Sequence, residues 1–269
     1  LQRQGFDLLG LDTASAAMRE FGQPDNTLET LANACDCFIT MLPEGEHVAG
    51  VYRQLLDSGV RADALFIDCS TIDVDTARRL SAQLTDDGLQ FVDAPVSGGS
   101  EGAAQGALSF MVGGADAAVE RARPLLEAMG SKITVFGTAG AGQAAKACHN
   151  MICGITALAV CESFALADAL GLDLDRFFDL CRGAAAQSWI LENRCPVPGP
   201  APAAPASNDY APGFAARLMA KDLGLAPRAA EAGCQPTEFG AAAARRFREF
   251  VDSGDGDLDF SAIYRSIRR

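Results

Sequence analysis

Residues 91–99 read Phe91-Val92-Asp93-Ala94-Pro95-Val96-Ser97-Gly98-Gly99, an apolar run that stops at an acid, meets a proline and opens into two glycines. Proline has no N–H to give a ladder, so a strand ends at Asp93. Ser97 and the two glycines offer consecutive backbone N–H groups with no bulky side chain in the way, and such a run cradles an anion. A carboxylate fits it, with the Ser97 hydroxyl assisting. Ligands of open parallel sheets bind beyond the carboxyl ends of the strands, which is where this loop falls.

Working outward, strand-like apolar runs lie at 6–11, 37–42, 65–70, 109–112 and 133–136, besides 90–94. Helix-like stretches at 28–34, 48–56, 74–84 and 117–129 separate them. Asn26 and Asp73 read as N-caps, Gly88 and Gly130 as stops. The alternation predicts a doubly wound, Rossmann-type parallel sheet with helices on both faces, over residues 1–137. From 138 to 269 the pattern is all helix. Its first element, 143–170, is apolar nearly all round and suits a long helix buried between two domains. Further helices are expected at 174–181, 214–232, 238–251 and 260–267. The stretch 195–213 holds six of the twelve prolines and, taken alone, looks like an extended linker.

Bulk properties narrow the function. A net charge of −13 opposes nucleic acid and anionic membrane as partners. The nine cysteines sit mostly in apolar runs without metal-ligand spacing, which suits reduced thiols in a reducing compartment, the cytoplasm or a mitochondrial matrix. The apolar run 151–161 is broken by Glu162 and is too short to span a bilayer.

Lysine is scarce: only Lys132, Lys146 and Lys221 stand among 22 basic residues. Lysine can lose its proton when partly desolvated and arginine cannot, so a lysine kept inside the apolar helix at 146 reads as a proton-transfer group. Asn150, four residues on, projects from the same face and can hydrogen-bond a substrate oxygen or the lysine. His149 reads as an ordinary helix histidine that could reach the same region. Asp12, after the first strand, can bond both ribose hydroxyls of an adenosine and repel a 2′-phosphate, which favours NAD. The hydroxyls of Ser70 and Thr71 can face a nicotinamide ring.

These segments together resemble the β-hydroxyacid dehydrogenase family. The matching motifs are ITMLP at 39–43, IDCSTID at 67–73, FVDAPVSGG at 91–99, FMVGG at 110–114, GQAAKACHNM at 142–151 and LMAKDLGLA at 218–226. The likeness runs from residue 1 to the last helix, and the proline-bearing segment and LMAKDLGLA resemble the branch acting on 3-hydroxyisobutyrate. It implies Lys146 as general acid/base with Asn150 as partner, and Ser97, Gly98 and Gly99 on the substrate carboxylate. It implies NAD held by Leu42, Pro43 and Thr71, with Lys221 and His47 as further contacts, and no metal. It also implies a homodimer or homotetramer, and an ordered proline-bearing loop near the site. The expected reaction is oxidation of 3-hydroxyisobutyrate to methylmalonate semialdehyde, in valine breakdown. Reduction of tartronate or succinic semialdehyde and oxidation of serine are alternatives, and a non-catalytic oligomerisation protein is one of another class.

Three departures stand out. His149 replaces a second asparagine, and Ala184-Ala185-Ala186 replaces a Ser-Ser-Gly stretch of the substrate pocket. The family's first strand and Gly-x-Gly-x-x-Gly turn are unmatched, so the chain is expected to be a truncated form that binds cofactor poorly and folds poorly.

Overall fold

The computed structural model describes residues 1–23 and 25–268. The chain divides into two compact units, Leu1–Lys146 and Ala147–Arg269. In chain order the first unit holds α1 (Ser15–Phe21), α2 (Leu28–Ala34), β1 (Cys37–Thr40), α3 (Gly45–Asp57), β2 (Leu65–Asp68), α4 (Val74–Asp86) and β3 (Gln90–Asp93). It continues through β4 (Val96–Ser97), α5 (Gly99–Gln105), β5 (Leu108–Gly114), α6 (Asp116–Met129) and β6 (Gly130–Gly137). A long helix, α7 (Ala141–Ala169), carries the chain onward into the second unit.

The sheet runs β1-β2-β3-β5-β4, with β6 on β5. β1, β2 and β3 are parallel and in register, so Thr40, Asp68 and Asp93 line up at their carboxyl ends. The doubly wound sheet is mixed in its second half: β5 pairs antiparallel with both β3 and β4, and β5–β6 returns to parallel. The reason is local. Pro95 ends β3, and the connection to β5 is spent on β4 and the short α5 instead of on a helix packed across the sheet, so the chain comes back alongside β3 in the opposite direction. Both faces of the sheet are covered. Phe66 points into a core with Tyr52 and Leu80 from α3 and α4, while Leu65 and Ile67 point into another with Val119 and Leu126 from α6. Burial on both sides is why these strands read as unbroken apolar runs.

The strand expected at 6–11 does not form. A strand exists only where another backbone meets it, and among the described residues β1 pairs with β2 alone. Local bonds serve the segment instead: Gln23 accepts from the Gly10 N–H and donates to Leu8 O. Asn26 donates to Gly10 O, so it is not the N-cap of α2; Thr27 is, accepting from the Thr30 N–H. Asp73 caps α4 as expected, accepting from Thr76 at 2.8 Å.

The second unit is helical: the rest of α7, then α8 (Leu174–Arg182), α9 (Trp189–Asn193), α10 (Ala216–Ala232), α11 (Glu238–Phe250) and α12 (Tyr264–Ile267). Its core gathers Phe164, Leu191, Met219, Leu223, Phe247 and Phe260. The proline-bearing stretch is an ordered loop, not a linker, because Cys195, Val197, Ala204 and Tyr210 are buried in that core. The Tyr210 hydroxyl donates to Pro196 O at 2.6 Å and ties the loop across itself. The final helix expected at 260–267 is a 3-10 turn followed by four α-helical residues. Burial of α7 is one-sided: Ile152 and Leu166 remain 65% and 61% exposed.

One tie between strands carries a titration. Asp68 is fully buried; one carboxylate oxygen accepts from Thr40 Oγ1 and the Ser70 N–H, while the other meets no donor among the described residues. Burial pushes its carboxyl up to about 6, against the lowering effect of the Ser70 and Thr40 bonds. A raised carboxyl favours the protonated fold, so its stabilisation is complete below the unfolded value near 4 and is lost as pH rises through 6. Asp68→Asn removes this titration. The variant is expected to gain on the parent between pH 4 and pH 7.5 by on the order of 2–3 kcal/mol, read from urea unfolding at both pH values. A stability gap that does not move with pH would contradict the assignment.

Candidate active site

The carboxyl ends of β2 and β3 meet the first turn of α7. Asp93, buried at the end of β3, accepts from the Gly140 N–H at 2.7 Å and the Gln143 N–H at 2.9 Å. A carboxylate there satisfies backbone donors that the helix leaves open and complements its dipole. Burial pushes the Asp93 carboxyl up to about 6, and the backbone N–H groups pull it back down. The approach is so close that two glycines are required. A Cβ at Gly142 would lie 2.3 Å from Met111 O, and one at Gly113 would lie 2.6 Å from Asp93 Oδ1.

Gln143 makes the second clasp. Its buried amide donates to Ser70 O at 2.8 Å and accepts from the Ile72 N–H at 3.1 Å, bracketing half-buried Thr71. The Ser70 hydroxyl in turn accepts from the Leu42 N–H at 2.8 Å, so the ends of β1 and β2 are bonded to each other. One turn past Gln143, the buried Lys146 ammonium donates to Val96 O at 2.7 Å. That carbonyl immediately precedes Ser97, Gly98 and Gly99. Gly98 and Gly99 have φ of 130° and 62°, which L side chains resist, so the turn needs glycine at both. Lys146, Ser97–Gly99, Thr71 and Leu42 are thus joined through one set of bonds in the first unit.

Pro43 and His47 are exposed at the entrance to α3. Asp12 lies in an exposed turn, its carboxylate accepting from the Ala14 N–H at 2.7 Å, and among the described residues no strand precedes it. In the second unit, the Asn150 amide donates to Asp222 Oδ2 at 2.6 Å, and Lys221 Nζ lies 2.9 Å from Asp222 Oδ1. His149 Nδ1 is 2.9 Å from Asn150 Oδ1. Sequence alone assigns no role to Gln143, Asp93 or Asp222. Gln143 and Asp222 stand inside motifs already quoted, beside Lys146 and Lys221, and that adjacency was the available signal.

A buried lysine beside a glycine turn, at the strand ends of a doubly wound type of sheet, is the arrangement of a nicotinamide-dependent hydroxyacid dehydrogenase. Comparison with known proteins agrees. The NAD binding domain family of 6-phosphogluconate dehydrogenase matches residues 1–137, and the NAD-binding family of NADP-dependent 3-hydroxyisobutyrate dehydrogenase matches 140–267. A probable 3-hydroxyisobutyrate dehydrogenase of Mycobacterium tuberculosis is 44% identical over 265 residues, 98% of this chain and 89% of that protein. An NAD-dependent L-serine dehydrogenase of Pseudomonas aeruginosa is 44% identical over 232 residues, 85% of this chain and 77% of that one. The solved structure of the Mycobacterium tuberculosis 3-hydroxyisobutyrate dehydrogenase with L-serine superposes with a TM-score of 0.88 at 44% identity, covering 96% of this chain and 88% of that one. This chain belongs to the β-hydroxyacid dehydrogenase family and is NAD-dependent.

The residues present fit the nicotinamide end of that cofactor. Met41 leaves an apolar side chain 60% exposed just past β1, a surface that suits a flat ring, with the Thr71 hydroxyl on the neighbouring loop.

The close approach at Gly142 makes a sign test. Glycine to alanine inside a helix normally stabilises by about 1 kcal/mol. Gly142→Ala is expected instead to destabilise the protein by about 2 kcal/mol or more, because the new methyl meets backbone carbonyls that cannot move aside. Thermal unfolding checks it, and a raised melting temperature would refute the close packing.

Proposed function

We propose that the protein oxidises 3-hydroxyisobutyrate to methylmalonate semialdehyde in valine breakdown, with Lys146 as general acid/base. The observation that carries this reading is the 2.7 Å bond from Lys146 Nζ to Val96 O, which sets the amine beside the Ser97–Gly99 turn. A 3-hydroxyacid has a carboxylate and, two carbons away, the hydroxyl to be oxidised. Ser97 and the N–H groups of Gly98 and Gly99 hold the carboxylate, and Lys146 in its neutral form takes the hydroxyl proton. In the reverse direction its ammonium returns that proton to the aldehyde oxygen. Asn150, one turn on in α7, donates to the same oxygen. Bound NAD supplies the acceptor for the hydride that leaves the hydroxyl-bearing carbon.

Leu42, Pro43, His47 and Thr71 hold the nicotinamide half, Lys221 adds a contact, and Asp12 selects NAD over NADP by repelling a 2′-phosphate. We assign residues 1–137 to NAD binding and 138–269 to substrate binding and dimerisation. A homodimer or homotetramer would cover apolar side chains such as Ile152 and Leu166. The compartment we favour is the cytoplasm, or the mitochondrial matrix in a eukaryote.

A second reading is oxidation of L-serine, which differs from 3-hydroxyisobutyrate by an amino group in place of a methyl. One relative is named for that activity, and the Mycobacterium tuberculosis structure was solved with L-serine. The exposed turn at Ala184, Ala185 and Ala186 offers no side-chain acceptor for an ammonium, which favours the methyl-bearing substrate.

Absorbance at 340 nm with 3-hydroxyisobutyrate, L-serine and 4-hydroxybutyrate, each with NAD and NADP, tests both readings. Highest kcat/KM for 3-hydroxyisobutyrate with NAD is expected. Preference for L-serine would move the assignment to the second reading, and preference for NADP would refute the role of Asp12.

A further inference from the structure

Asn150 is 4% exposed and is held from both ends of its amide. At one end the amide NH2 donates to Oδ2 of the buried Asp222 at 2.6 Å. The other end is therefore the carbonyl oxygen, and it faces His149 Nδ1 at 2.9 Å. An oxygen acceptor at that distance requires a proton on Nδ1. Neutral histidine in water prefers its proton on the other nitrogen, so this contact chooses a tautomer. Cys153 Sγ lies 3.8 Å from the same Nδ1, at the long limit for sulfur, and accepts as a minor second partner.

We infer that His149 is a positioning residue, which fixes the Asn150 amide from its oxygen end so that one N–H is committed to Asp222 and the second is aimed for the substrate oxygen. The chain of hydrogen bonds is His149 to Asn150 to Asp222, and the Lys221 ammonium forms an ion pair with the far carboxylate oxygen at 2.9 Å. Asp222 decides which end of the amide carries the nitrogen. His149 decides how far the amide rotates about its last bond, since a single hydrogen bond leaves that rotation soft. The inference rests on the reading above that Asn150 serves the substrate. Its groups are neighbours on α7 and α10 within the second unit. The histidine had looked like an ordinary helix residue in sequence, because nothing in the spacing of α7 indicates which ring nitrogen meets an amide.

Two measurements separate the inference from that reading. Long-range 15N–1H correlation spectra of the whole protein report the tautomer without any turnover. The expected result is a protonated Nδ1 on His149, together with an Asn150 side-chain amide signal that moves when His149 is replaced. Protonation on Nε2 in the neutral ring would overturn the inference even if the enzyme is fully active. The second measurement is kinetic. His149→Leu should lower kcat roughly threefold to tenfold, the weight of one hydrogen bond, with KM for NAD unchanged. His149→Asn can donate from its own NH2 and should recover most of that loss. A leucine variant that matches the wild type, or an asparagine variant no better than leucine, would contradict the positioning role. If the wild type oxidises no hydroxyacid while the tautomer is as expected, the proposed function fails and the bonding scheme stands.

Discussion

The carboxylate of Asp93 at the head of α7 organises what surrounds it. Accepting from Gly140 and Gln143, it fixes where a 29-residue helix begins. Every later side chain on the first turns inherits its position from that start. Gln143 reaches the Ser70–Ile72 loop and Lys146 reaches Val96 only because the helix axis meets the sheet at this point. Gly113 and Gly142 are what allow the approach, since any Cβ there would occupy the space of Asp93 or of Met111 O. Two buried N–H groups would lose their acceptor without the carboxylate, at about 1–3 kcal/mol each, which is a large share of a typical domain's stability.

Asp93 and Asp68 are neighbours in register, and burial raises both toward neutrality. They differ in their partners. Asp93 faces helix N–H groups that favour its charged form, while Asp68 has a buried oxygen that meets no donor among the described residues. Two buried acids on adjacent parallel strands are a poor choice for stability alone. Their placement at the strand ends makes sense as a way to hold the Leu42, Thr71 and Ser97 loops in fixed relation, with the stability cost offset by the apolar cores on either face of the sheet.

Much of this was legible in the sequence. Alternating apolar runs marked β1, β2, β3 and their helices because burial on both faces leaves a continuous signature. The scarcity of lysine singled out Lys146, and the Ser97-Gly98-Gly99 run marked the turn beside it. What was not legible depended on neighbours distant along the chain. The run at 6–11 has strand composition but meets no strand among the described residues, and composition does not supply a partner. The antiparallel entry of β5 follows from how β4 and α5 use the connection after Pro95, which periodicity does not encode. Gln143 and Asp222 stood in plain view next to Lys146 and Lys221, yet their bonds span 73 residues and join α10 to α7, respectively. The proline-rich loop looked extended by composition and is instead packed by Val197 and Tyr210 into the helical core.

The central claim is that the clasp at Asp93 delivers Lys146 as the proton-transfer group. Chemical rescue measures this most directly: kcat for NADH formation by Lys146→Ala, with 3-hydroxyisobutyrate, in rising concentrations of ethylamine. The account expects a loss of roughly 10²–10⁴-fold in the variant, partly restored by the free amine as it occupies the vacated space. Near-normal turnover without added amine would contradict it, and would move the proton to another group.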